Sequence, residues 1–201
     1  QFEMFSALIK EEIDWTRVIM LHLDEYVGLP ESHIASFRKY LKERFVSLVP
    51  IKEAHFVNGE GDIDKNIKEL TIELRKEPID VGIIGIGENG HIAFNDPPAD
   101  FTTDEAYKVV VLDTKCRMQQ VGEGWFETID DVPEKAISMM PKEIMKAEHI
   151  VTVAPHSVKA KAIYDTITHS VSPDVPATLL KTHPDWNLFI DDDSAAMLFG
   201  K

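Results

Sequence analysis

The stretch DVGIIGIGENGHIAFNDPP, residues Asp80–Pro98, decides how the rest of the chain is interpreted. It starts as a short apolar strand, continues into a glycine-rich turn of the form G-x-G-x-x-G, and places a histidine directly after the last glycine. A dinucleotide-binding loop needs such glycines to open a long helix, with an acidic residue at the end of the next strand. Asp113 satisfies the second condition, but Pro97 and Pro98 forbid the long helix, so we reject a nucleotide site.

The glycine turn fits a catalytic histidine better. Gly87 and Gly90 allow the backbone to turn tightly and to approach a ligand closely. They place His91 at the end of a predicted strand, and a histidine, with an ordinary pKa near ~6.5, transfers protons readily at neutral pH. The alternative is a histidine that is only hydrogen-bonded within the turn; the flanking glycines and the strand end favour the catalytic interpretation.

The rest of the chain alternates between apolar runs typical of buried strands and segments with helical spacing. Predicted strands are Arg17–Leu23, Asp80–Gly87, Tyr107–Asp113, His149–Pro155 and Trp186–Asp191. Predicted helices lie at the start of the chain and at 33–45, Asp64–Lys76, 157–167 and Asp193–Leu198, with Ser157 as an N-cap and with Ile34 and Ile72 among the apolar positions. This alternation predicts a single domain over residues 1–201 with a three-layer, doubly wound, Rossmann-like α/β fold and a mostly parallel sheet.

Composition and charge exclude several classes of protein. The 201 residues carry a formal net charge of −14 and contain no basic run, which argues against nucleic acid and anionic membranes as partners. No apolar run approaches the ~20 residues of a membrane span, and no signal peptide is visible. The single cysteine, Cys116, cannot form an internal disulfide, so the sequence predicts a reducing, cytoplasmic setting.

Three polar motifs follow predicted strands: LDEYVGLP (23–30), GENGH (87–91) and APHSVKAK (154–161). Ligands of open α/β sheets bind outside the carboxyl ends of the strands, so we expect these motifs to share one site. Asp24 is the candidate base, because a partly buried carboxylate near other acids can have a raised pKa. The alternative is an aspartate that only forms the turn before Gly28 and Pro30. Glu25 and Tyr26 are candidates for substrate contact, with structural hydrogen bonds and core packing as the alternatives.

LDEYVGLP together with GxGxNGHIAFNDP resembles the glucosamine-6-phosphate deaminase (isomerase) family, and the order and spacing of the two motifs agree. VPEKAISM (132–139), SVKAKAI (157–163) and SPDVPATLLKTHP (172–184) extend the resemblance over nearly the whole chain. It implies a fold like that of ribose-phosphate isomerases and CoA transferases. The related 6-phosphogluconolactonases share the glycine–histidine turn but usually lack Phe-Asn-acid-Pro after it.

The resemblance implies a mechanism without a metal or redox cofactor. His91 assists ring opening of a sugar phosphate at the ring oxygen, and Asp24 takes the proton from C2. An enediol-type intermediate forms, the proton returns at C1 and ammonia leaves, which gives fructose 6-phosphate from glucosamine 6-phosphate. Acidic residues orient the histidine in the family. Here Asn89 stands where Asp is common, and Asp96, shorter by one methylene, stands where Glu is common.

The resemblance also assigns the substrate phosphate to Lys159, supported by Ser157 at the first turn of a helix. Arg117 lies in the segment that matches the family's mobile lid, which usually supplies an arginine to the phosphate. The family's first strand and main phosphate loop precede the segment that matches Gln1, so we expect an N-terminally incomplete domain. Family members commonly form homo-oligomers. Galactosamine 6-phosphate as substrate, lactonase activity and a non-catalytic sugar-phosphate sensor stay open as alternatives.

Overall fold

The computed structural model describes residues 2–199 and has an α/β architecture. Its helices are α1 (Phe2–Leu8), α2 (Phe37–Arg44), α3 (Ile63–Leu74), α4 (Thr114–Gly122), α5 (Pro141–Ile144), α6 (Ala160–Thr168) and α7 (Ala196–Phe199). Its strands are β1 (Ile19–Leu21), β2 (Asp24–Tyr26), β3 (Glu53–His55), β4 (Val81–Ile83), β5 (Tyr107–Val111), β6 (Lys135–Met139), β7 (His149–Val153) and β8 (Trp186–Phe189). Within residues 2–199, no helix is both long enough and apolar enough to cross a bilayer.

The strands form three small sheets. Strands β4, β7 and β8 pair in parallel in that spatial order, and β1 pairs in parallel with β3. The third sheet, in the order β2-β6-β5, is antiparallel. The prediction of mostly parallel pairing is therefore confirmed, but β5 runs antiparallel to its neighbour β6, a strand that we did not predict. Apolar periodicity does not encode strand direction, because direction depends on which distant segment returns to pair.

The LDEYVGLP motif also differs from its prediction. We expected a loop after a strand that ends at Leu23, but the first strand ends at Leu21 and a second one starts at Asp24. This strand is held against β6, with Asp24 opposite Ser138 and Tyr26 opposite Ala136. The candidate base therefore lies on a paired strand instead of a free loop.

The main core lies between helices α3 and α6 and the strands β4, β6 and β7. This core contains buried side chains from each of these elements, with Ile84 directly after β4: Leu70, Ile84, Ile137, Ile150 and Ile163. Two predicted apolar helix positions are not in the core, because Ile34 and Ile72 are exposed.

Capping side chains explain where three of the helices begin. Ser36, Asp62 and Asp113 cap α2, α3 and α4, each accepting a backbone N–H from the first turn. Ser157 is not the N-cap that we predicted. It opens a 3₁₀ turn, Ser157–Lys159, that follows His156 with its positive φ of 78°. The Asp191 carboxylate fixes this bend by accepting the His156 backbone N–H at 3.0 and 3.2 Å.

Candidate active site

The glycine turn after β4 holds His91 tightly. The Gly87 N–H donates to the His91 carbonyl at 2.9 Å, and the Gly90 N–H donates to the Gly87 carbonyl at 3.0 Å. Gly90 has a φ of +83°, which favours glycine. A Cβ at Gly87 would overlap the His91 imidazole. These two glycines therefore position the histidine ring, and their contact with the substrate stays a prediction. No helix starts between residues 88 and 106, as we predicted from Pro97 and Pro98, so the helix that a dinucleotide-binding loop requires is absent from this segment.

Asp96 reaches the histidine despite its shorter side chain. Its Oδ1 lies 3.2 Å from His91 Nδ1, and both side chains are about nine-tenths buried. Burial alone would raise the pKa of the Asp96 carboxyl, but the adjacent His91 ring, the Asn89 amide and the Asp113 backbone N–H outweigh it and lower the pKa. Asp96 is therefore held as a carboxylate beside the imidazole.

Asn89 connects the histidine to two carboxylates. Its Oδ1 accepts the His91 backbone N–H at 3.1 Å. Its Nδ2 donates to Asp96 Oδ1 at 2.9 Å and to Asp113 Oδ2 at 3.2 Å. An aspartate at position 89 would bring a third carboxylate against the other two, so these neighbours favour the amide.

Asp24 has the protonation behaviour that a base needs. Burial, and then the adjacent Glu25 carboxylate, raise the pKa of the half-buried Asp24 carboxyl from 3.8 to about 7. Its strand partner Ser138 accepts the Phe94 backbone N–H at 3.0 Å and Asn95 Nδ2 at 3.1 Å. Because the loop that carries His91 is attached to the residue opposite Asp24, the fold brings the base and the histidine to one region.

Glu25 and Tyr26 are not available as substrate contacts. The fully buried Glu25 carboxylate accepts hydrogen bonds from the Ser36 hydroxyl at 2.8 Å and from the Arg38 backbone N–H at 2.9 Å, and it pairs with the Arg38 guanidinium at 3.3 Å. The Tyr26 ring is equally buried and packs 5.0 Å from Phe94, centroid to centroid. Both side chains therefore support the base and its strand, which corrects their candidate role as substrate contacts.

The predicted phosphate ligand Lys159 is partly buried. Its half-buried ammonium has no carboxylate within ion-pair distance among residues 2–199. Burial lowers its pKa, while Glu123 and Glu88 act in the opposite direction. An anion that binds there would relieve the cost of burying an unpaired charge. Ser157 is exposed at the start of the same turn.

Arg117, predicted to bind the substrate phosphate, contacts backbone carbonyls in the structure. Its guanidinium donates to the Ile129 carbonyl at 2.6 Å and to the Val132 carbonyl at 3.1 Å. It therefore ties α4 to the segment that leads into β6 through Nη2 alone, whereas its buried Nε has no hydrogen-bond partner within residues 2–199. The sequence match to the lid could not reveal this, because both acceptors are backbone atoms more than ten residues away.

Two residues near the histidine were missed as site residues. Asp113 was considered only as the acid of a nucleotide site, although its position before a helical segment is an N-cap signal. Cys116 is buried, and its sulfur, a carboxylate oxygen of Asp96 and a ring nitrogen of His91 all lie within 4.8 Å of one another. Burial and the neighbouring carboxylates raise the pKa of the Cys116 thiol. That shift favours the thiol over the thiolate that a metal would need.

Comparison with known proteins identifies relatives of this chain. The family model described as glucosamine-6-phosphate isomerases/6-phosphogluconolactonase matches residues 2–188. A glucosamine-6-phosphate deaminase of Listeria welshimeri is 36% identical over 196 residues, which cover 97% of this chain and 82% of that protein. One of Halothermothrix orenii is 38% identical over 204 residues, which cover 98% of this chain and 82% of the relative.

Solved structures show the same fold. A monomeric glucosamine-6-phosphate deaminase superposes with a TM-score of 0.87 at 27% identity, covering 98% of this chain and 83% of its own. A 6-phosphogluconolactonase of Thermotoga maritima superposes with a TM-score of 0.76 at 15% identity, covering 94% of this chain and 79% of its own, and this likeness concerns the fold alone. The chain therefore belongs to the family of glucosamine-6-phosphate isomerases and 6-phosphogluconolactonases.

Proposed function

We propose that this protein is a glucosamine-6-phosphate deaminase, which converts glucosamine 6-phosphate and water to fructose 6-phosphate and ammonia. The observation that carries this proposal is the Asp24 carboxyl, whose pKa is raised to about 7 on a strand that Ser138 joins to the His91 loop. A base with a pKa near the working pH combines a useful ionised fraction with useful proton affinity. The deaminases of Listeria welshimeri and Halothermothrix orenii support this choice.

The reaction starts when the sugar ring opens. His91, paired with Asp96, transfers a proton at the ring oxygen and so releases the open-chain aldehyde. Asp24 then removes the proton from C2, and the electron pair moves to form an enolamine between C1 and C2. Protonation at C1 leaves an imine at C2. Water adds to this carbon and ammonia departs, which gives the ketone of fructose 6-phosphate.

Substrate binding rests on Lys159, with Ser157 beside it as a second contact for the phosphate. The lysine has no carboxylate partner of its own among residues 2–199, so its charge is available to a phosphate. We leave Arg117 out of this binding set, because its Nη2 already donates to two backbone carbonyls.

Ammonia release from glucosamine 6-phosphate, measured beside galactosamine 6-phosphate and 6-phosphogluconolactone, tests the proposal. We expect turnover of glucosamine 6-phosphate that Asp24→Asn abolishes. Turnover of galactosamine 6-phosphate alone would reassign the substrate to the other epimer. Hydrolysis of the lactone, together with no ammonia release from either amino-sugar phosphate, would identify a lactonase. Thermal stabilisation by the sugar phosphates without any turnover would identify a sensor.

We propose a cytoplasmic location, since the one cysteine is buried and the sequence provides no disulfide. The homo-oligomer expected from the family resemblance stays a prediction, and the structural relative with a TM-score of 0.87 is itself described as monomeric. Sedimentation of the purified protein over a range of concentrations decides between the two assemblies.

A further inference from the structure

We propose that Asp113 is a positioning residue of the active site, which fixes His91 and Asp96 through the side-chain amide of Asn89. The inference rests on the proposed function, because the positioned groups are those that open the sugar ring. It concerns a residue that would not touch the substrate and that lies at the start of α4, outside the glycine turn.

The first argument is that the Asn89 amide has a defined partner for each polar atom. The oxygen accepts the His91 backbone N–H, and the nitrogen donates to Asp96 Oδ1 and Asp113 Oδ2. Two carboxylates therefore hold the amide nitrogen on one side, and the backbone donor fixes the oxygen on the other. Removing the Asp113 acceptor leaves the amide nitrogen with Asp96 Oδ1 as its acceptor within residues 2–199, so its orientation is held less firmly.

The second argument is that Asp113 acts on Asp96 directly as well. Its backbone N–H donates to Asp96 Oδ2 at 3.0 Å, so both oxygens of Asp96 are held. Its own Oδ1 accepts the Cys116 N–H at 2.6 Å and caps α4. One residue thus joins the first turn of the helix to the carboxylate beside His91.

A second hydrogen bond connects α4 to the glycine turn. The Glu88 backbone N–H donates to Gln119 Oε1 at 3.0 Å. Helix α4 is therefore bonded to this turn at two successive residues. Gln119 binds the Glu88 backbone, and Asp113 binds the Asn89 side-chain amide. The position of the helix is in this way tied to the position of His91.

The competing explanation is that Asp113 is only a helix cap. The chain offers a matched comparison, because Asp62 caps α3 by accepting the Lys65 N–H at 3.1 Å and is exposed. Asparagine caps helices about as well as aspartate. Asp113→Asn and Asp62→Asn therefore preserve both caps, but only Asp113→Asn turns an N–H₂ group toward the Nδ2 of Asn89.

The primary experiment measures ammonia release by both variants. We expect Asp113→Asn to lower kcat at least tenfold with KM within about threefold of the wild-type value, and Asp62→Asn to leave both unchanged. The melting temperatures of the two variants should agree within a few degrees. Wild-type kinetics in Asp113→Asn would overturn the proposal.

A double-mutant cycle tests the route through Asn89. If Asp113 acts through that amide, Asp113→Asn lowers kcat at least tenfold in the wild-type background but less than twofold in Asn89→Ala. Equal losses in both backgrounds would reject the route. Asn89→Ser provides the same background if the alanine variant does not fold.

A third measurement does not depend on turnover. In ¹⁵N-labelled protein, the side-chain N–H₂ protons of Asn89 should exchange slowly with solvent in the wild type and in Asp62→Asn, and rapidly in Asp113→Asn. Slow exchange in all three would overturn the positioning role even if the enzyme is active. Slow exchange in the wild type without ammonia release would instead reject the proposed function and leave the positioning intact.

Discussion

At position 87 the chain accepts only glycine, because the His91 ring occupies the space in which a Cβ would lie. Gly85, two residues earlier, has no atom within 4 Å of an added Cβ and has no positive φ. The two glycines look alike in the sequence motif, but only one of them is required by the packing of the histidine.

Gly87→Ala should therefore lower kcat at least tenfold and cost about 1–3 kcal/mol of unfolding free energy, the usual range for overpacking. Gly85→Ala is the matched control and should leave the unfolding free energy within about 0.5 kcal/mol and kcat unchanged. Urea unfolding and ammonia release measure the two effects. Equal losses in both variants would show that the His91 ring does not set the constraint.

The raised pKa of Asp24 makes the stability of the folded protein depend on pH. A carboxyl whose folded-state pKa lies above its ordinary value binds its proton more tightly in the folded state than in the unfolded state. Its contribution therefore favours folding at low pH and is lost as the pH rises toward the folded value of about 7. The ionised form, which the reaction needs, is the form that burial opposes.

Asp24→Asn should lower kcat by about 10²–10⁴, and wild-type kcat/KM should fall as the pH decreases through about 7. The same variant should gain stability over the wild type at about pH 8, where the carboxyl is charged, and should keep less than half of that advantage near pH 5. Melting temperatures of both proteins at the two pH values check the sign. A constant difference at both pH values would contradict the raised pKa.

At the scale of elements, α4 and the turn that carries Lys159 each present a cation, and the two cations differ in their contacts. Arg117 fastens the helix to two backbone carbonyls, whereas Lys159 has no carboxylate partner among residues 2–199. The family resemblance suggested that both cations bind phosphate, but their partners in the structure differ.

Lys159→Ala should raise KM for the sugar phosphate at least tenfold and change the unfolding free energy little, because the lysine ammonium forms no ion pair within residues 2–199. Arg117→Ala should show the reverse pattern. It leaves the buried Val132 carbonyl without this donor, at about 1–3 kcal/mol, whereas the Ile129 carbonyl still accepts the Val132 N–H. Steady-state kinetics and urea unfolding on both variants separate the roles, and a larger KM effect in Arg117→Ala would return the arginine to the phosphate site.

At the scale of the whole molecule, the antiparallel sheet holds the active site together. Strand β6 pairs with β2, which carries Asp24, and its residue Ser138 binds the loop after His91. The two catalytic groups are 67 residues apart in the chain, so this joint sets their separation.

Ser138→Ala should lower kcat at least tenfold and cost about 1–3 kcal/mol, because it leaves the buried Phe94 N–H without an acceptor. Thr152→Val is the control. It removes a buried hydroxyl that accepts the Trp186 indole N–H at 3.0 Å on β7. The control should lose stability and keep kcat. If kcat falls equally in both variants, general loosening explains the effect better than the joint at Ser138.

The sequence by itself determined the α/β class, the family, and Asp24 and His91 as the candidate pair. Glycines, prolines and apolar periodicity express constraints that act within a few residues, so they can be interpreted without the fold. Only the tertiary structure decided the antiparallel sheet, the carbonyl partners of Arg117, the buried role of Glu25 and the contacts of Asp113 with Asn89. These depend on which distant backbone and side-chain groups come within hydrogen-bonding distance, and no local pattern in the chain encodes that.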